Sequence, residues 1–82
     1  MRRHELSRRE RDILLWACRG KTYGEIAVIV GLSFGSVKTY LDHARYKLNA
    51  VNLPQACAIA VAEGVLLPDE ILHGHFLPDP AP

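Results

Sequence analysis

The chain has 82 residues, of which 49% are apolar and 23% charged, with a formal net charge of +1. This length suits one small domain, and the apolar content excludes an intrinsically disordered chain. No apolar run is long enough to span a bilayer, and no signal-peptide pattern follows the arginines at positions 2 and 3, so we expect a cytoplasmic protein and no membrane association.

The charge is divided unevenly along the chain. Residues 1–50 contain all ten Lys and Arg against five acidic residues, a net charge of +5. Residues 51–82 contain four acidic residues and no Lys or Arg, a net charge of −4. The first part of the chain is therefore where a polyanion would bind, which the near-zero total conceals.

The first predicted helix begins after Ser7 and ends at Gly20. Ser7 and Glu10 have the spacing of a capping box, which satisfies two otherwise free backbone N–H groups. Its predicted buried stripe is Ile13, Leu14 and Ala17, with Leu6 folding over from the N-terminal side.

Two features of this helix keep alternative interpretations open. Arg8, Arg9 and Arg11 fall on the solvent side, where they form either a solvated face or contacts to phosphates. Trp16 belongs either to the core or to a subunit interface, in preference to a ligand-binding role.

The two cysteines, Cys18 and Cys57, each lie within a predicted amphipathic helix. In a cytoplasmic protein we expect them to be reduced, buried thiols rather than a disulfide.

The stretch from Tyr23 to Asp42 predicts two helices joined by a tight turn. Thr22 with Glu25 repeats the capping-box spacing, and the second helix runs to Val30. Gly31 supplies the positive φ that a sharp turn needs, and Ser33 is the predicted N-cap of a third helix at about 33–48. The predicted buried stripe of that helix is Val37, Leu41, Ala44 and Leu48.

The outward face of the third helix carries polar residues near its start: Ser36, Lys38, Thr39 and Asp42. In a helix-turn-helix these are the positions from which the second helix reaches base edges in a major groove. Lys21 precedes the second helix and is either a phosphate clamp or a solvated loop lysine.

The fourth predicted helix, residues 53–63, follows the N-cap Asn52 and is apolar nearly all round. Its core face is expected to be Leu53, Ala56, Cys57 and Ala60. The opposite face, Gln55, Ala58, Ile59 and Ala62, needs another cover, for which we expect the same helix of a second copy, rather than the chain's own tail.

Residues 68–82 contain four prolines and no Lys or Arg, so we expect a mobile C-terminal tail with a helical turn at residues 69–72. His73 and His75 with Glu70 are too weak a pattern for a metal site. No catalytic constellation or phosphate loop is present, so we expect no enzyme activity, no metal, no cofactor and no small-molecule ligand.

Several separated motifs together resemble the LuxR-type (GerE-type) helix-turn-helix domain of bacterial transcription regulators. They are LSRRERDILLWACRGKTYGEIAVIVGLS, then SVKTYLDHARYKL, and then Asn52 followed by Gln55-Ala56 and by the pattern AxAxxxG. The match covers roughly Glu5 to Leu67. The segment around Trp16 and the fourth helix are most similar to acyl-homoserine-lactone-responsive members, which are quorum-sensing regulators.

This resemblance implies an all-α, four-helix domain at residues 1–67 that binds double-stranded DNA as a homodimer, at the bacterial nucleoid. It implies that Lys38, Thr39 and Asp42 face bases, and that Lys21, Ser33, Ser36, Arg45 and Lys47 contact phosphates. It also places the dimer interface on the fourth helix.

Three departures from the family pattern matter. Asp42 stands where members often carry a basic or amide residue, and Leu53 replaces the arginine usual after Asn52. No sensory domain precedes Met1, so we expect a stand-alone small regulator or the DNA-binding end of a larger one. The alternative function is an interaction module that pairs through residues 53–63 with a full-length regulator, as a heterodimer, and modulates it.

Overall fold

The computed structural model describes residues 5–73, and this part of the chain contains five helices and no strand. In chain order they are α1 (Arg8–Cys18), α2 (Tyr23–Val30), α3 (Phe34–Lys47), α4 (Leu53–Ala62) and α5 (Pro68–His73). The all-α fold class is confirmed, and α1 to α4 correspond to the four predicted helices. The helix α5 is an addition to that four-helix plan.

The predicted helix starts are confirmed by the caps in the structure. Ser7 with Glu10, and Thr22 with Glu25, form complete capping boxes in which side chain and backbone bond reciprocally. The hydroxyl of Ser33 accepts from the N–H of Ser36, and the N-cap of α4 is Asn52. These signals are local in the chain, which is why the sequence alone could identify them.

The turn between α2 and α3 has the predicted form. Gly31 is left-handed with φ of 73°, and its N–H donates to the carbonyl of Ala27 at 2.9 Å. The N–H of Leu32 donates to the same carbonyl at 3.0 Å. The chain bends by 104° between α2 and α3, which is the geometry of a helix-turn-helix.

The core forms around α1, which packs against each of α2, α3, α4 and α5. Ile13 and Leu14 are fully buried as expected, but Leu15 and Trp16 are buried too, and Ala17 is only half-buried. A single-stripe prediction missed Leu15 because a helix covered by several neighbours has more than one buried face. Trp16 belongs to the core within this chain, and the guanidinium carbon of Arg19 lies 4.8 Å from the centroid of its ring.

The expected stripe of α3 is confirmed at all four positions, and so is the core face of α4. Val37, Leu41, Ala44 and Leu48 are buried. Ala56 and Ala60 of α4 are fully buried, and Leu53 and Cys57 are half-buried against the core.

The arginines of α1 do not form a uniform solvated face. The guanidinium of Arg11 donates two bonds to Glu70 of α5, at 2.7 and 2.8 Å, and a third to the carbonyl of Val65 at 3.1 Å. Arg9 reaches the carbonyl of Val30 at 3.4 Å. Arg11 is therefore a structural cation that holds α5 on α1, and neither open interpretation describes it.

The first part of the expected tail is the helix α5, which contains the predicted turn at residues 69–72. Glu70 is only 6% exposed and also accepts from the N–H of Leu67 at 3.0 Å. Packed structure therefore continues past residue 67. The remaining tail, residues 74–82 with His75, lies outside the described residues.

The expectation of reduced thiols is wrong in this structure, because Cys18 and Cys57 form a disulfide. Cys18 is the last residue of α1 and Cys57 lies in α4, and the packing of these helices brings their Cα atoms to 5.8 Å. The pair is 39 residues apart in sequence, so no local pattern could predict the contact.

Between residues 5 and 73, no single helix is long and apolar enough to cross a membrane. The pair α2 and α3 reaches that length and composition only when both helices are counted together across their bend.

Candidate nucleic-acid interface

The outward face of α3 is the centre of the candidate site. Lys38 and Thr39 are exposed and Asp42 is half-exposed, one turn further along the same helix. On the opposite side of the helix, Val37 and Leu41 are buried in the core. The buried stripe thus fixes the rotation of α3 about its axis and leaves the three predicted base-contact residues directed away from the core.

Charges along this face are arranged in alternation. The ammonium of Lys38 donates to Asp42 Oδ2 at 3.1 Å, and the guanidinium Nη2 of Arg45 lies 3.6 Å from Asp42 Oδ1. The hydrogen bond from Lys38 lowers the pKa of Asp42, with smaller help from the charges of Lys38 and Arg45. Asp42 therefore stays a carboxylate at neutral pH and offsets part of the positive charge of α3.

The start of α3 presents a second group of polar atoms. The hydroxyls of Ser33 and Ser36 are 3.0 Å apart, and both residues line a shallow surface concavity. The full lining is Ser33, Gly35, Ser36, Thr39, Tyr40 and His43. The structure therefore joins two predicted phosphate-contact residues to Thr39, a predicted base-contact residue.

His43 was not among the predicted site residues, although it shares this concavity. Its spacing of seven residues from Ser36 places both on one face of α3, so the helical period would have identified it. Its Nδ1 lies 3.9 Å from Oε2 of Glu10, which links the rim of the concavity to the start of α1.

Lys21 follows the turn that ends α1. Gly20 has φ of 91°, and the N–H of Lys21 donates to the carbonyl of Trp16 at 3.1 Å. This fixes the backbone of Lys21 next to Thr22, the N-cap of α2. The bond from the Thr22 backbone lowers the pKa of Glu25, and the charge of Lys21 adds to that effect.

Lys47 has a different environment from the other predicted phosphate contacts. Its ammonium donates to Glu10 Oε1 at 2.9 Å and to the carbonyl of Glu5 at 3.4 Å. Burial alone would raise the pKa of Glu10, but the bonds from Lys47 and Ser7 outweigh it and hold that pKa below its ordinary value. The structure therefore gives Lys47 a role in joining α3 to α1.

Arg45 is shared between two acceptors. Besides approaching Asp42, its Nη1 donates to the carbonyl of Ala50 at 3.4 Å, in the connection to α4. Arg45 is therefore half-buried at the C-terminal end of the row formed by Lys38, Asp42 and Arg45. Its guanidinium is held near the connection between α3 and α4.

The outer face of α4 is exposed at three of the four predicted interface positions. Gln55, Ala58 and Ala62 are exposed, whereas Ile59 is half-buried and packs against this chain's own core. Val51, which the prediction missed, is 77% exposed, and its N–H donates to Gln55 Oε1 at 2.7 Å. The exposed part of the predicted interface on α4 therefore consists of two alanines and one glutamine, with Val51 at its edge.

Comparison with known proteins gives consistent similarities. The family described as bacterial regulatory proteins, luxR family, matches residues 4–60. The chain is similar to the HTH-type quorum sensing-dependent transcriptional regulator VjbR of Brucella abortus, at 44% identity over 68 residues, which are 83% of this chain and 26% of VjbR.

Two further relatives are the transcriptional activator protein AhyR of Aeromonas hydrophila and the transcriptional activator protein EsaR of Pantoea stewartii. AhyR is 42% identical over 64 residues, covering 78% of this chain and 25% of AhyR. EsaR is 40% identical over 62 residues, covering 76% of this chain and 25% of EsaR. The chain thus matches about a quarter of the length of each of these relatives.

Proposed function

The chain belongs to the luxR family of bacterial regulatory proteins, and on that premise we propose that it is a sequence-specific transcription regulator that binds double-stranded DNA as a dimer. Its family is one of DNA-binding transcription regulators and is not a class of enzymes. In the proposed complex α3 lies in the major groove, with residues 1–67 as the DNA-binding domain. The protein works at the nucleoid, in the cytoplasm.

The observation that carries this proposal is the helix-turn-helix geometry of α2 and α3. The 104° bend and the buried stripe of α3 together direct Lys38, Thr39 and Asp42 outward on one face. These side chains have the hydrogen-bonding groups that base edges complement: a lysine for guanine, a hydroxyl for several bases and a carboxylate for the amino group of cytosine.

Phosphate contacts supply most of the affinity in the proposed complex. Lys21 lies beside the N-terminus of α2, and Ser33 and Ser36 lie at the N-terminus of α3, where backbone N–H groups favour anions. Arg45 and Lys47 add charge further along α3. A phosphate must compete with Glu10 for the ammonium of Lys47, which reduces the contribution of that residue.

Dimerisation in this proposal uses the exposed face of α4. Gln55, Ala58 and Ala62 lie on one face, and Ile59 supports it from below. Two copies related by a two-fold axis would place two α3 helices on half-sites about one helical turn of DNA apart, roughly 34–36 Å. The DNA target is therefore a palindrome.

A second candidate function follows from the charge balance of α3. Asp42 is close to both Lys38 and Arg45, which reduces the positive charge available to DNA. A chain with weak DNA affinity but an open α4 face would act as an interaction module, pairing through residues 53–63 with a full-length luxR-family regulator and modulating it.

One titration separates the two functions. Fluorescence anisotropy of a labelled random-duplex pool is measured against protein at low and near-physiological salt, and the bound fraction is recovered and sequenced. We expect steeply salt-dependent binding and an enriched palindromic motif. An absence of binding even at low salt would contradict the DNA-binding proposal and favour the interaction module.

A further inference from the structure

The disulfide between Cys18 and Cys57 has no part in the function proposed above. It joins the last residue of α1 to the middle of α4, and both cysteines are half-buried. The covalent loop that it closes contains the whole of α2 and α3. The disulfide therefore connects the helix before the helix-turn-helix, α1, to the helix after it, α4.

Apart from this bond, only small side chains of α4 are fully buried in the core, and Leu53 and Ile59 pack against it half-buried. The fully buried residues of α4 are two alanines, Ala56 and Ala60, whereas its larger apolar side chains are only half-buried. By contrast, α3 buries Val37 and Leu41. Because hydrophobic stabilisation scales with the apolar area removed from water, α4 gains less from burial than α3 does.

The disulfide and the proposed dimer surface belong to the same turns of α4. Cys57 faces α1, and Ala58, the next residue, is exposed on the outer face. Any shift of α4 relative to α1 would therefore move the outer face as well. The disulfide therefore fixes the position of the outer face of α4 relative to α1.

We propose that Cys18 and Cys57 form a reversible redox site, at which reduction releases α4 from α1. The proposal depends on the proposed function in one respect: a protein that binds DNA in the cytoplasm meets a thiol pool that keeps most disulfides reduced. Disulfides that do form there in mesophiles are usually transient and catalytic or redox-sensing. As a consequence, the oxidised form dimerises and binds a palindromic site more tightly than the reduced form.

The chemistry is thiol–disulfide exchange with a dithiol as the reductant. A thiolate of the dithiol attacks one sulfur of the pair, the Cys18–Cys57 bond breaks and a mixed disulfide forms. The second thiol of the reductant then resolves the mixed disulfide. Two electrons and two protons pass to the protein, which leaves two cysteine thiols and the disulfide form of the reductant. A small disulfide such as oxidised glutathione drives the reverse reaction.

The test compares the full chain after treatment with oxidised glutathione and after treatment with dithiothreitol. Alkylation and mass spectrometry count the free thiols, and amide hydrogen exchange is followed in α4 and in α3. We expect reduction to accelerate exchange in α4 by roughly tenfold or more, with a smaller change in α3. Unchanged exchange in α4, or two free thiols after oxidation, would overturn the proposal.

The matched control is the double variant Cys18→Ser, Cys57→Ser. It should exchange like the reduced wild-type chain and show no response to dithiothreitol, and a response would assign the effect to something other than the cysteine pair. Because the wild-type comparison needs no variant, the test stands even if the double variant does not fold.

Dimer dissociation constants and DNA affinities of both redox forms separate this inference from the proposed function. If α4 responds to reduction but neither form binds any duplex, the redox site stands and the DNA-binding proposal fails. If both forms bind DNA and α4 does not respond, the DNA-binding proposal stands and the redox site fails.

Discussion

Asp42 places a negative charge between two cations of α3, Lys38 and Arg45. In the free protein it holds both side chains along the helix. At a DNA surface the same carboxylate repels phosphates and accepts only from a suitably placed donor, such as cytosine N4. A carboxylate at this position therefore lowers the affinity for nonspecific DNA more than it lowers the affinity for the specific site.

The substitution Asp42→Asn should therefore strengthen binding to random duplex DNA. With one repulsive charge removed, we expect the slope of log K against log salt to become more negative by about 0.9, equivalent to one more neutralised phosphate. Anisotropy titrations across a salt series measure this slope. Asp69→Asn makes the same charge change on α5, which packs on α1, and should leave the slope unchanged.

Lys38→Ala and Lys21→Ala test the division between base and phosphate contacts. Losing Lys38 should weaken binding to the selected site by about 1–3 kcal/mol and relax the preference at one base pair. Losing Lys21 should weaken binding to all duplexes alike. Competition titrations with single-base variants of the site measure both effects. An equal loss on every sequence for Lys38→Ala would rule out its base contact.

At the scale of elements, the five helices between residues 5 and 73 differ in what holds them in place. The starts of α1 and α2 are set by capping boxes formed within each helix's own first turn. By contrast, α5 is held by the pair of Arg11 with Glu70, whose members are 59 residues apart. Burial alone would raise the pKa of Glu70, but the bonds from Arg11 and from the Leu67 N–H outweigh it and lower that pKa.

Glu70→Gln should destabilise the chain at neutral pH by about 1.5–3 kcal/mol, the range for hydrogen bonds to charged groups. Because the folded state lowers the pKa of Glu70, the wild-type contribution is present above the ordinary pKa of a glutamate and disappears as pH falls through the lowered value. The difference between wild type and variant should therefore shrink in acid. Urea unfolding at neutral pH and at about pH 3 measures it.

The Arg11→Met variant and the double variant complete a mutant cycle with Glu70→Gln. A coupling near zero at neutral pH would contradict the assignment of Arg11 as the cation that holds α5.

At the scale of the whole molecule, the uncovered surface of α4 is what suggests a second copy. Ala58→Glu would place a carboxylate on each side of the proposed two-fold axis, where like charges at close range repel. We expect dimerisation measured by light scattering, without DNA, to weaken at least about tenfold, which is roughly 1.4 kcal/mol. Val28→Glu, on the exposed face of α2, is the matched control. A dimer that is indifferent to Ala58→Glu would exclude this face.

The sequence by itself determined the helix starts, the glycine turn after α2 and the buried stripe of α3. Each of these depends on residues a few positions apart, so spacing and residue type are sufficient. The outward positions of Lys38, Thr39 and Asp42 followed from that stripe. Their roles as base contacts stay a prediction, as does dimerisation through α4.

Only the tertiary structure decided which distant residues meet. The disulfide of Cys18 with Cys57, the bond of Lys47 with Glu10 and the docking of α5 join positions 39, 37 and 59 residues apart. The first corrected the expected thiols, the second gave an expected phosphate contact an internal partner, and the third extended the packed structure past residue 67. Such pairings depend on how whole helices pack around α1. The spacing of residues within one helix does not predict that packing.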